Sequence, residues 1–274
     1  MKFSRMLVIS RPLLWLVTGL MYLIGIGNVK NFSALSFVEF LFFLFPLNFY
    51  LYGLNDIHDR KSDQINPRKG GVHGALLDMK EAIELKKYVF VPPVLFLGIA
   101  GLSKNLEHFL VGLLFVVLAF AYSHPSLKWK EVPFLDVVTS SVGYFCPALL
   151  AFTLQHSLSN LTPANMVLIL PVAGFHALTT LVDLDCDRKA KMNSVAAFLG
   201  KEKTLLFIMG MSLVPLIFWR TALFIGEFII IMIGCMLLLF LRGKDYQNAL
   251  RDAGVSFMTI WVVDLLYFFI SANL

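Results

Sequence analysis

The chain has 274 residues, of which 58% are hydrophobic and only 15% charged, and 26 are Phe. Soluble domains carry about 25% charged residues, so the composition excludes a water-soluble fold and implies an all-α integral membrane protein, a single polytopic domain over residues 1–274. The formal net charge of +5 calls for no nucleic acid partner, since basic loops facing anionic membrane lipids account for it.

A hydrocarbon core about 30 Å thick takes roughly 20 apolar residues per helix. Residues 1–5 precede an apolar run with no small-residue cleavage site, broken at Arg11-Pro12, so the start reads as a retained helix. In chain order, the apolar segments fall at about 12–27, 34–54, 88–103, 108–124, 135–154, 163–182, 203–219, 221–241 and 254–271. They predict nine transmembrane helices in a bundle around a central cavity. Tight turns are expected at 103–105 and 219–221, and longer charged loops after the second, fourth, sixth and eighth helices. Of the 23 Lys and Arg, all but Lys30, Lys104 and Arg220 fall on the side of the N-terminus. Positive charge marks the cytoplasmic face, so the N-terminus is expected inside and the C-terminus outside.

Two acidic clusters follow apolar segments on that same side. The first reads Asn55-Asp56-Ile57-His58-Asp59-Arg60-Lys61-Ser62-Asp63, the second Asp183-Leu184-Asp185-Cys186-Asp187-Arg188-Lys189. Acids beside lipid are costly and point to function. Asp56, Asp59 and Asp63 share one helical face. Aligning Asp59-Arg60-Lys61 with Asp187-Arg188-Lys189 superposes Asn55 on Asp183, so the motif is duplicated, as in two pseudo-repeated halves around one site. So many carboxylates repel each other unless a cation intervenes. Mg²⁺ prefers oxygen ligands and usually takes one or two carboxylates plus substrate phosphates. Arg60, Lys61, Arg68, Lys69, Lys128, Lys130, Arg188 and Lys189 surround the clusters and suit the remaining phosphate oxygens. The three scattered cysteines, Cys146, Cys186 and Cys235, imply no disulfide framework, and Cys186 is given no ligand role because magnesium favours oxygen.

Asn55-Asp56-x-x-Asp59-x-x-x-Asp63 together with Asp183-x-x-x-Asp187 resembles the UbiA-type intramembrane prenyltransferases over nearly the whole chain. The stretch 66–71 with Glu81-Ala82, Tyr122-Ser123 before Lys128, and Ser194-Val195-Ala196 with Leu199-Gly200 are similar to that family's other motifs; Lys191 stands where the family often has Gly. The resemblance implies Mg²⁺ held through Asn55, Asp59, Asp183 and Asp187, with Asp56 and Asp63 as further ligands or as acceptors orienting Lys and Arg. It implies a prenyl diphosphate donor contacted by Asn55, Arg60, Arg68, Lys69, Tyr122, Lys128, Lys130 and Arg188. Loss of diphosphate would give an allylic cation in a dry, aromatic-lined chamber, attacked by a lipophilic acceptor. Asp56, Asp59, Asp63, Asp183, Asp187 and Lys128 would carry the reaction, in the membrane of a prokaryotic cell.

Ser10-Arg11-Pro12-x-x-Trp15, Tyr52-Gly53-x-Asn55-Asp56 and the run from Tyr122 to Asp136 look most like the lycopene elongase branch. That branch implies a C5 unit from dimethylallyl diphosphate joined to a carotenoid. Aromatic or quinone precursors and lipid ethers are the other acceptors to weigh. An ion-coupled transporter is the rival from a different class, but it predicts acids near the bilayer midplane. His176 shares the face of Asp183 two turns deeper and would line the acceptor cavity or make a helix–helix hydrogen bond. His58 and His73 read as loop residues, Tyr122 or Asp136 as a support for Lys128, Asp264 as a structural hydrogen-bonding group, and Glu39 and Glu227 as interfacial. Donor chain length and oligomeric state are not legible.

Overall fold

The computed structural model describes residues 1–64, 69–70, 74–218, 222–271 and 273, with backbone alone at 61 and 222–224. The described residues are helical apart from short connections, and they form two compact units. The first comprises Met1–Lys128, Gly143–Asn160 and Phe268–Leu274; the second comprises Trp129–Val142 and Leu161–Tyr267.

The first unit holds α1 (Phe3–Ile9), α2 (Pro12–Ile26), α3 (Ala34–Leu44), α4 (Pro46–His58), α5 (Arg60–Asp63), α6 (Met79–Lys86), α7 (Val91–Gly101), α8 (Leu106–Ser123) and the later part of α9 (Leu135–Thr153). The second holds the start of α9, then α10 (Pro163–Met166), α11 (Ile169–Val182), α12 (Leu184–Ala190), α13 (Val195–Leu213), α14 (Pro215–Phe218), α15 (Ala222–Phe240) and most of α16 (Gly243–Ser271).

Each of the nine apolar segments falls on helix, but not each makes an uninterrupted span. Among the described residues five stretches are long and apolar enough to cross a membrane: Ala34–His58, Leu106–Ser123, Leu135–Thr153, Pro163–Val182 and Gly243–Ser271. A sixth arises if α1 and α2, bent by 65° at their junction, count as one. Proline explains much of the difference from nine, because it lacks the N–H a helix interior needs. Pro12 starts α2, Pro215 separates α14 from α13, and α7 begins beside Pro92 and Pro93 and runs only 11 residues. The expected turn at 219–221 lies outside the described residues; that at 103–105 is present, with Lys104 at φ 54°.

Between helices in lipid there is little hydrophobic drive, so close packing and polar contacts do the joining. In the first unit a Cβ on Gly25 would lie 2.0 Å from the Ala148 carbonyl oxygen, so α2 meets α9 only because Gly stands there. Asn48 Nδ2 donates to the Phe43 and Leu44 carbonyls (2.6 and 3.0 Å) and to Thr18 Oγ1 (2.8 Å), satisfying backbone groups at the Pro46 junction. Glu39 is wholly buried rather than interfacial: Tyr22 donates to its Oε2 at 2.8 Å and His108 Nε2 lies 2.7 Å from its Oε1. Glu227 is buried as well, hydrogen-bonded in the second unit to Asp264. A carboxyl taken into lipid needs a partner, and the sequence separation hid both partners.

Candidate active site

The first acidic motif sits where α4 ends. Helix α4 runs to His58, which is helical rather than in a loop; Asp59 breaks the helix (φ −90°, ψ 2°) and α5 resumes at Arg60. Asp56 is 1% exposed and its carboxylate is fully engaged. Oδ1 accepts from Arg11 Nη2 at 2.7 Å and from Lys69 Nζ at 3.3 Å, and Oδ2 accepts from the Ala75 N–H at 3.1 Å. Lys69 also donates to Asp63 Oδ2 at 2.9 Å. A buried charge persists only when paired in this way.

Arg11 is the residue that sequence reasoning missed. It occupies the α1–α2 junction in a left-handed conformation (φ 53°), which turns its side chain onto the motif. Its guanidinium lies over the Tyr52 ring at 4.4 Å and reaches Asn55 Oδ1 at 3.5 Å. Tyr52 and Tyr144 hydrogen-bond through their hydroxyls beside it. The available signal was a cation, followed by Pro12, inside an apolar run. Gly74 completes the arrangement: a Cβ there would lie 2.8 Å from Arg11 Nη2 and 3.0 Å from Lys69 Nζ, and its φ of +133° suits only glycine. Burial pushes the Asp63 carboxyl up to about 6 although Lys69 opposes the shift; the neighbouring Asp59 and Asp56 charges add to it.

Asn55, Asp59 and Arg60 remain partly exposed. Arg68 and His73 lie outside the described residues, as does the Lys61 side chain.

The second motif lies at the α11–α12 break. Asp183 ends α11 with nearly the same backbone as Asp59 (φ −90°, ψ 0°). The duplicated spacing survives as one helical turn in each: Asp59 N–H donates to the Asn55 carbonyl and Asp187 N–H to the Asp183 carbonyl, both at 2.8 Å. The break falls on the second motif position in one case and the first in the other. Asp183 and Asp187 are partly exposed, while Asp185 and Arg188 face outward, Asp185 accepting from Gln247 Nε2 at 3.1 Å. Ser194 Oγ donates to Asp187 Oδ2 at 2.6 Å. Helix α12 terminates at Lys191 in a left-handed conformation (φ 56°, ψ 31°), a position that favours glycine.

Of the loop after α8, Tyr122 is partly buried and Lys128 exposed, whereas Lys130 is buried. Asp136 is fully buried in the second unit, where its Oδ2 accepts from Val195 N–H at 2.8 Å. His176 Nε2 lies 3.7 Å from the same oxygen, a polar contact between α11 and α9.

The donors suit a hard cation. Asn55, Asp59, Asp183 and Asp187 each carry a side-chain oxygen and are partly exposed, and Asp56 and Asp63 pair with protein cations. Among the described residues no three His, Cys, Asp or Glu side chains form a metal-holding group.

The model of the UbiA prenyltransferase family matches residues 13–263. The chain belongs to the UbiA prenyltransferase family. This UbiA-family chain is 34% identical over 210 residues to a lycopene elongase/hydratase of Corynebacterium glutamicum, covering 73% of this chain and 70% of that one. It is 31% identical over 216 residues to a lycopene elongase/hydratase of Halobacterium salinarum, covering 76% of each. Among solved structures, a UbiA homolog from Archaeoglobus fulgidus bound to DMAPP and Mg²⁺ superposes with a TM-score of 0.69 at 19% identity, covering 96% of this chain and 99% of that one. The fold is thus the UbiA fold, and the protein is a membrane prenyltransferase.

Proposed function

We propose that this prenyltransferase moves a C5 unit from dimethylallyl diphosphate onto the end of a carotenoid such as lycopene, releasing diphosphate, with the site at the cytoplasmic face. The observation that carries the acceptor assignment is the likeness to lycopene elongase/hydratases over nearly three quarters of the chain. The distribution of Lys and Arg supports the orientation.

Asn55 and Asp59 of the first motif and Asp183 and Asp187 of the second would hold Mg²⁺, which when bound would supply positive charge against the leaving diphosphate. Arg60, Arg68, Tyr122, Lys128, Lys130 and Arg188 contact phosphate oxygens. Asp56 acts as a positioning residue: it fixes Arg11 and Lys69 at the rim of the motif. Asp63 restrains Lys69 in the same way. Once the allylic C–O bond breaks, aromatic side chains exclude water and face the cation. The acceptor alkene attacks, and the cation left on the acceptor loses a proton, for which His176 on α11 is the candidate base.

The test is an assay in membranes with Mg²⁺ and radiolabelled dimethylallyl diphosphate, offering lycopene or an aromatic acid. Label is expected in the carotenoid fraction. Label only in the aromatic product would overturn the acceptor assignment.

A further inference from the structure

Helix α13 is capped in an unusual manner. Ser194 occupies its N-cap with extended backbone (φ −68°, ψ 167°), where a serine hydroxyl normally accepts from the first-turn N–H groups. Here the Ser194 side chain makes no such bond. The first N–H of α13 is taken by Asp136, whose Oδ2 accepts from Val195 N–H at 2.8 Å while its Oδ1 accepts from Val137 N–H, also at 2.8 Å. The first turns of α9 and α13 therefore meet on a single buried carboxylate, and both helix dipoles favour its charge. The Ser194 hydroxyl instead donates at 2.6 Å to Asp187 Oδ2.

We infer that Ser194 is a positioning residue for Asp187, and that Asp136 holds it there by anchoring the first N–H of α13. The hydroxyl fixes the orientation of the Asp187 carboxylate through its Oδ2. His176 stands 3.7 Å from Asp136 Oδ2 and bounds that buried carboxylate on the α11 side. The inference rests on the reading of Asp187 as a metal ligand.

Partners that orient metal ligands typically change affinity or activity about 10–100-fold when removed. The test uses the full-length protein purified in detergent, with Mn²⁺ in place of Mg²⁺, inorganic diphosphate present, and bound Mn²⁺ followed by electron paramagnetic resonance. Ser194→Ala should weaken Mn²⁺ binding about 10–100-fold, and the Mg²⁺ concentration for half-maximal transfer should rise in parallel. Ser194→Thr, which keeps the hydroxyl, should restore binding to within a few-fold. Asp136→Asn should weaken binding, and Asp136→Asn combined with Ser194→Ala should be no weaker than Ser194→Ala alone. Wild-type Mn²⁺ binding in Ser194→Ala, alongside lost binding in Asp187→Ala, would overturn the inference and leave the metal reading standing. Equal losses in Ser194→Ala and Ser194→Thr would also overturn it. Wild-type binding and transfer in Asp187→Ala would instead overturn the metal reading itself.

Discussion

Arg11 and Asp56, 45 residues apart in the chain, form an ion pair 2.7 Å long whose side chains are 13% and 0% exposed. Removing one partner of a buried pair costs about 3–5 kcal/mol, because the other charge stays buried and unmatched. Arg11→Ala and Asp56→Ala should each lower the melting temperature of the detergent-solubilised protein markedly. The double substitution should cost less than the sum of the singles. Additive losses would show that the pair is not energetically coupled.

Gly74 gives a second measure of the same cluster. A methyl at this position would crowd both cations and force a strained backbone. Gly74→Ala should destabilise by more than about 1 kcal/mol, read as a fall in melting temperature. An unchanged value would mean that Arg11 and Lys69 have room to move aside.

Asp59→Ala and Asp187→Ala should each abolish prenyl transfer while the protein remains in the membrane fraction at wild-type level. Both side chains are partly exposed, so neither substitution opens a core. Normal transfer in either variant would remove that residue from the metal site.

Asp63 predicts a pH dependence with a definite sign. Its folded-state carboxyl is raised from 3.8 to about 6, so between those values the folded protein holds a proton that the unfolded chain has lost. Stability contributed by this group falls as pH rises from about 4 to about 6 and is level above. Melting temperatures taken across that range without divalent metal should show this slope, and Asp63→Asn should flatten it. An unaltered slope in the variant would assign the effect to other groups.

Lys191 carries a left-handed backbone at the end of α12. That conformation costs a non-glycine residue about 1–2 kcal/mol, partly offset in a glycine variant by the freedom glycine gains on unfolding. Lys191→Gly should therefore stabilise by about 0.5–1 kcal/mol, seen as a raised melting temperature. A loss of stability would show that the Lys191 side chain makes a compensating contact.

The helices were legible because a membrane demands long apolar runs, and the acidic motifs because their spacing repeats. What escaped the sequence was pairing over distance. Nothing local ties Arg11 to Asp56 or Glu39 to His108, which are 69 residues apart. The apolar segment at 34–54 concealed a fully buried acid, since an isolated Glu in such a run looks the same whether it reaches the interface or a partner. The bond that Asp136 accepts from the Val195 N–H, 59 residues later, was equally out of reach. Helix breaks were only partly legible: the Arg11-Pro12 interruption was marked, but the break at Pro215 fell inside an expected helix over 203–219, and Asp59 and Asp183 interrupt helices with no proline at all.

The buried Glu39 joins four helices. Tyr22 comes from α2, Glu39 from α3 and His108 from α8, while His108 Nδ1 lies 3.1 Å from the Leu150 carbonyl and 3.0 Å from Thr153 Oγ1 on α9. Sliding any one of these helices past another would strand a polar group in hydrocarbon. The four are tied together as one strut, so any sliding of helix past helix is to be sought among the elements this strut does not bind.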